Sequence, residues 1–179
     1  VHLIISSRYL PDLPEAPLWI ARNQVGGVTF EDLSFQPDEI QQLFQQNNGI
    51  VLTRKDAETL VKETEGWIAA IHLTNGNPGT LPQLRPLENT STLFDFFSRE
   101  VMQRQPEDVR RFILLTSVLD AFDISLCEKV LGSLPNEGDF NWPILFETVR
   151  TSNLFSISLD NEGRWMRYHH LFQHYLRSQ

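Results

Sequence analysis

Three of the chain's five histidines, His169, His170 and His174, fall in the stretch RWMRYHHLFQHYLRSQ that runs from Arg164 to Gln179. An imidazole can hold a metal, move a proton or donate to a phosphate near neutral pH. His170 and His174 are four apart and share a helical face, a spacing that can seat a metal. A third ligand is missing from the neighbourhood. Asp160 and Glu162 lie across an expected hairpin turn and no cysteine is near, so no metal is expected. The plainer reading makes His170 and His174 polar positions between the core residues Leu171, Phe172, Tyr175 and Leu176. Arg8 is a second candidate. It follows the apolar run His2 to Ser6, which reads as a buried strand. In open α/β sheets ligands bind beyond the carboxyl ends of the strands, and a charged guanidinium fork there suits a terminal phosphate. Taken alone, a loop arginine is more often an ordinary surface residue.

Complete active sites are absent from these 179 residues. There is no GxxxxGK[ST] phosphate loop, no GxGxxG, no HExxH and no GxSxG, and a single cysteine, Cys127, excludes CxxC. No enzymatic activity is expected of the chain by itself. The net charge of −8 makes direct nucleic-acid binding a poor fit, because phosphate backbones attract basic surfaces. A composition of 41% hydrophobic residues with 12 Phe and 4 Trp can build a real core. No apolar run approaches the roughly 20 residues of a membrane span, and nothing resembles a secretory signal. A reducing, cytoplasmic setting and no membrane partner are therefore expected.

The elements divide into two groups. The first strand is expected over residues 2–7, then a Pro-rich loop, YLPDLPEAP, then one or two short strands, GGVTF and LSF, within Val25–Phe35. Pro37 suits the first residue of a helix, with acids in its first turn. A second helix is expected from about Lys55 to Glu63, and a third, largely buried, in WIAAIHLTN after Gly66. Residues 75–92, with two Gly and three Pro, read as a linker. Beyond it the pattern is helical. LFDFFSREVMQRQ is capped by Thr90, Ser91 or Thr92, and EDVRRFILLTSVL follows Pro106 with Val109, Phe112 and Ile113 on one stripe. Helices near Leu126–Leu131 and Ile144–Thr151 come next. LFSISLDNEGRWMRYHH alternates about a tight turn at Asp160–Gly163 and reads as a hairpin, and HLFQHYLR closes the chain as a helix. Helices, a hairpin and a terminal helix are the order of a winged-helix-like domain. Its helices carry Glu107, Asp108, Glu128 and Glu147 among few arginines, so protein or ligand contact fits better than DNA. The abrupt apolar start reads as the interior of a longer chain.

Five segments in this order, HLIISSRYLP, LSFQPDEIQQLF, TEGWIAAIHL, LFDFFSREVMQRQPEDVRRFILLTSVLD and NLFSISLDNEGRWMRYHHLFQHYLR, resemble the MalT-like LuxR-family transcriptional regulators, within the STAND signal-transduction ATPases. The resemblance covers nearly the whole chain. It implies a mostly α fold with a small β component. Residues 1–77 would be the C-terminal half of a P-loop α/β nucleotide-binding domain, 78–92 a linker, and 93–179 a winged-helix-like domain. It implies ATP or ADP, with Mg, bound by a longer parent whose Walker motifs precede Val1. It also implies self-association on activation and DNA contact through a separate C-terminal domain. Arg8 matches the arginine that senses the terminal phosphate. His169 matches the histidine of the related MHD motif, which touches the ADP phosphates in the resting state. Gly66 and Trp67 match the TEGW or SGW that starts the helix beside the adenine. Ile68 lies next to them; relatives carry proline two residues after the glycine. The expected function is part of an ATP/ADP switch, closed on ADP and opened by ATP and inducer. The alternative is a nucleotide-independent winged-helix interaction module.

Overall fold

A computed structural model describes residues 3–5, 13–28, 30–74, 91–134, 140–152, 154–160 and 162–179. The chain forms two compact units, one of Glu15–Phe96 and one of Phe97–Gln179 with the described residues before Glu15.

The first unit is helical. Short helix α1 (Ala16–Ala21) begins within the stretch expected as a Pro-rich loop. Pro17 sits in its first turn, where a missing N–H leaves no bond unmade. Helix α2 (Phe30–Leu33) occupies part of the segment expected to hold strands, and residues 24–28 adopt no regular element. Residues 3–5, expected within the first strand, are likewise outside any strand, with Ile4 95% exposed. The reason is shared: an apolar run becomes a strand only when another strand takes up its N–H and C=O groups. No such partner lies beside either segment among the described residues.

Helix α3 (Pro37–Asn48) begins at the expected proline. The Gln36 N–H donates to the Glu39 carboxylate at 2.8 Å, which satisfies a donor at the helix start. It ends at Gly49, whose φ of +67° is left-handed and allows the reversal. Helix α4 (Arg54–Thr64) is capped by Thr53, whose Oγ1 accepts the Asp56 N–H at 3.2 Å. Arg54 pairs with Asp38 on α3 and with Glu58 one turn along. All these groups are more than half exposed, so the pairs add little stability. Helix α5 (Ile68–Thr74) follows the turn at Glu65–Gly66. Ile40, Phe44, Leu52, Ala57, Leu60 and Ile71 form the core between α3, α4 and α5. Helix α6 (Ser91–Phe96) ends the unit, so Ser91 and Thr92, expected in the linker, are helical. The remainder of that linker, residues 75–90, lies outside the described residues.

The second unit opens with a π-helical turn (Phe97–Val101) and a 3₁₀ turn (Met102–Arg104), where one continuous α-helix was expected. The wider turn brings Phe97, Val101 and Met102 all into the interior. Helix α7 (Glu107–Thr116) buries Val109, Phe112 and Ile113, the stripe read from the sequence. Helices α8 (Ile124–Val130) and α9 (Trp142–Thr151) follow. Asp123 and Asn141 cap them by accepting the N–H groups of Leu126 and Ile144. Strands β1 (Ser156–Ser158) and β2 (Met166–Tyr168) form the expected antiparallel hairpin, pairing Ser156 with Tyr168 and Ser158 with Met166. Helix α10 (His170–Arg177) closes the chain.

Two tertiary features complete this unit. Phe122 exchanges both backbone hydrogen bonds with Met166 at 2.9 Å, adding a one-residue third strand to the hairpin. Residues Ser117 to Leu119 follow the end of α7, where carbonyls lack helical partners. Gln173 Nε2 donates to Ser117 O and Leu119 O, and Arg177 donates to Ser117 O and Val118 O. These two side chains, four apart on α10, so fasten it to the loop after α7.

The hairpin turn depends on one carboxylate. Asp160 accepts the N–H groups of Glu162, Arg164 and Trp165, the shortest at 2.8 Å from Arg164. These bonds, led by that of Arg164, hold its pKa below the ordinary 3.8. A depressed folded pKa means that the stabilisation is present above the unfolded value and is lost as pH falls through the folded one. Amide protection of Leu159, Arg164 and Trp165 should therefore fall on acidification below pH ~4, and Asp160→Asn should flatten that dependence. Hydrogen exchange between pH 5 and 2 checks it; an unchanged acid profile in the variant would contradict the assignment.

Candidate functional site

His169 stands between β2 and α10, and both of its neighbours are fixed before it has any ligand. Tyr168, the last residue of β2, is 1% exposed. Its hydroxyl meets Thr116 Oγ1 at 2.7 Å, and Thr116 Oγ1 also lies 2.7 Å from the Phe112 carbonyl. Threonine has one hydroxyl proton, which goes to that carbonyl, so Tyr168 donates to Thr116. Burial pushes the Tyr168 pKa up, so the phenol stays protonated. On the other side Phe172 is fully buried. Its ring centroid lies 5.0 Å from Phe97, 5.5 Å from Phe155 and 5.8 Å from Tyr168. His169 is therefore held between a hydrogen-bonded strand end and an aromatic cluster.

His169 itself is 1% exposed. Its backbone N–H donates to the Phe155 carbonyl at 2.7 Å, and its ring Nδ1 accepts the Leu171 N–H at 3.3 Å as the cap of α10. An imidazole that accepts at Nδ1 carries its proton on Nε2 when neutral. Its outward chemistry is that of an Nε2–H donor at the positive end of a helix, a combination suited to phosphate. The His170 ring stacks on that of His169 at 5.0 Å; His170 is half-buried and His174 exposed. His169 thus stands where a strand ends and a helix starts.

Gly66, Trp67 and Ile68 lie together in the first unit. Glu65 and Gly66 have φ of +49° and +72°, and the Trp67 N–H donates to the Thr64 carbonyl at 2.9 Å. Two central residues at positive φ with this closing bond make a tight turn that needs glycine. The Gly66 carbonyl accepts the Phe35 N–H at 2.9 Å, and a β-carbon on Gly66 would lie 2.8 Å from the Phe35 backbone. Gly66 therefore has a demanding structural role, whatever its role toward a ligand. Trp67 packs against Phe96 at 5.9 Å, and Ile68 packs on the core of α3 and α4. Arg8 lies outside the described residues.

Sequence reading missed Phe155, which shapes the His169 site from the far side of the hairpin. Its φ of +53° is rare for a large side chain. Nothing in the pattern NLFSIS signals that conformation. The bond between Thr116 and Tyr168 spans 52 residues and was also invisible.

The arginine of α9, Arg150, donates to both Glu147 oxygens at 2.8 and 2.6 Å, which holds Glu147 below the usual carboxylate range. Cys127 is buried and its thiol is pushed up to about 12 by desolvation, so it is no nucleophile. Among the described residues no helix is long and apolar enough to cross a membrane.

Helix α7, the Phe122 bridge, α8, α9 and the β1–β2 hairpin, in that order, define a winged-helix domain. Residues 98–179 match the model of the MalT winged helix domain. Over 184 residues the chain is 30% identical to the HTH-type transcriptional regulator MalT of Yersinia enterocolitica serotype O:8 / biotype 1B, covering 99% of this chain and 20% of that protein. The same identity and coverage hold for HTH-type transcriptional regulator MalT of Yersinia pestis (strain Pestoides F) and of Yersinia pseudotuberculosis serotype O:1b (strain IP 31758). The chain is thus MalT-like along nearly its whole length, a segment similar to a transcriptional regulator, and it spans about 20% of the length of these relatives.

Proposed function

We propose that this segment is part of the nucleotide-controlled switch of a MalT-like transcriptional regulator. The carrying observation is His169: a buried imidazole that caps α10 through Nδ1 and so carries its donor on Nε2. In this reading ADP, with Mg held elsewhere in the parent, is the resting ligand. His169 donates to its phosphates and keeps the winged helix closed on the nucleotide domain. Gly66, Trp67 and Ile68 border the adenine. Arg8 favours ATP through its terminal phosphate. Inducer loosens the closed state, ATP replaces ADP, the chains self-associate, and a separate domain contacts DNA in the cytoplasm. A ligand shifts such an equilibrium only by its difference in affinity for the two states. One contact of about 1.5–3 kcal/mol at each phosphate position supplies a useful bias. Residues 1–179 carry no phosphate-loop lysine or magnesium-binding acid of the usual pattern, so they hydrolyse no ATP by themselves.

In the full-length regulator, His169→Ala should speed ADP release about tenfold or more, as expected for losing a hydrogen bond to a charged group. The alanine also removes a helix cap. His169→Asp separates the two effects, because aspartate caps well and has no N–H to donate. Both variants should release ADP faster and raise basal activity. ADP retention unchanged in both would leave His169 as a cap only. That second reading, a nucleotide-independent interaction module, is favoured by the fold partners that the His169 N–H and Nδ1 already have.

A further inference from the structure

We infer that Phe155 is a positioning residue for His169: it fixes where the imidazole sits and which nitrogen carries the proton. Four observations meet at this residue. Its carbonyl accepts the backbone N–H of His169 at 2.7 Å, which ties the turn before β1 to the residue after β2 and so fixes the backbone that carries the imidazole. Its ring stands edge-on to the imidazole, with centroids 6.5 Å apart and planes at 84°. The same ring packs on Phe97 at 5.2 Å and on Phe172 at 5.5 Å, so it is itself held. Its backbone lies at φ +53°, a region that a bulky residue rarely adopts and that persists only where the surroundings enforce it.

The geometry explains the strain. Neighbouring residues of an extended strand point to opposite faces. Leu154 is buried and Phe155 half-buried immediately before β1 begins, and the left-handed residue breaks the alternation between them. Ser156 Oγ donates to the Val149 carbonyl at 3.1 Å and anchors the strand start to the end of α9. Phe155 thus delivers both a carbonyl and a ring edge to His169. With the ring in place, Nδ1 faces the Leu171 N–H and Nε2 keeps the proton. Without it the imidazole loses the ring edge on one side and is less restrained about its side-chain torsions, so that the two nitrogens can exchange. The functional consequence rests on the proposed ADP contact; the tautomer itself does not.

The test has two arms. In the 179-residue chain, long-range ¹H–¹⁵N NMR reads the tautomer of His169. The native chain should show a single Nε2–H form. Phe155→Gly tolerates positive φ, keeps the carbonyl and removes only the ring; it should show both tautomers in exchange. If Phe155→Gly does not fold, Phe155→Leu keeps most of the bulk and should shift the same signals in the same direction. A single Nε2–H form in the folded variant overturns the inference. In the full-length regulator, Phe155→Gly or Phe155→Leu should speed ADP release at least about threefold, less than His169→Ala does. Fast release from His169→Ala with native release from the Phe155 variant overturns the positioning role and leaves the switch standing. Native release from His169→Ala removes the switch, while the NMR arm still decides what Phe155 does.

Discussion

Phe172→Ala is expected to unfold the winged-helix unit at moderate temperature. Phe172 is fully buried and lies at the meeting point of four rings, Phe97, Phe155, Tyr168 and Tyr175, with centroids from 5.0 to 6.1 Å away. Truncating such a phenylalanine removes its transfer free energy and leaves a cavity that packed rings cannot close, a loss of about 3–5 kcal/mol. That is a large part of the 5–15 kcal/mol a domain typically has. The consequence reaches the candidate site directly. Phe172 is two residues into α10, so its loss frees the helix that His169 caps. Hydrogen exchange should show protection lost across α7, β2 and α10 together. A fall confined to α10, or a loss under about 1 kcal/mol, would show that the cluster is not the core of the unit.

Gly66→Ala should cost the first unit about 2–4 kcal/mol, from two separable sources. One is backbone strain, since φ is +72°. The other is collision, because the new β-carbon would lie 2.8 Å from both the nitrogen and the oxygen of Phe35. Backbone atoms cannot move aside as a flexible side chain can, and that nitrogen donates to the Gly66 carbonyl. Gly49 is the natural control. Its φ of +67° is similar, but a β-carbon there meets nothing within 4 Å. Gly49→Ala should therefore cost about 1 kcal/mol, the strain alone. Urea unfolding, followed by exchange of the α3 to α5 amides, compares the two. Equal losses would mean that the Phe35 contact relaxes freely. The result also bears on function: a glycine required by packing would be retained there with or without a nucleotide beside it.

The sequence alone determined the elements with strong local grammar. Pro37 was legible as the first residue of its helix, and α3 begins there; α4, α8 and α9 begin within two residues of their expected starts, where Thr53, Asp123 and Asn141 satisfy backbone donors locally. The 3.6-residue stripes of α7 and α10 and the alternation about Asp160–Gly163 were equally legible, because their periods follow from the chain's own geometry. His169 at a strand end and helix start was visible for the same reason. Among the described residues the strands expected before Pro37 are not formed, since a strand is a property of a pair and β-propensity alone cannot supply the partner. The π turn at Phe97, the left-handed Phe155, the Phe122 bridge and the Thr116–Tyr168 bond were decided only by tertiary structure. Each satisfies a buried ring or polar group through residues distant in sequence, and no local pattern encodes which partner will be there. The place of His169 in the chain was therefore readable, while its role toward a nucleotide comes only from the resemblance. How it is held, through Nδ1 on Leu171 and its backbone N–H on Phe155, was fixed only when the aromatic core closed around it.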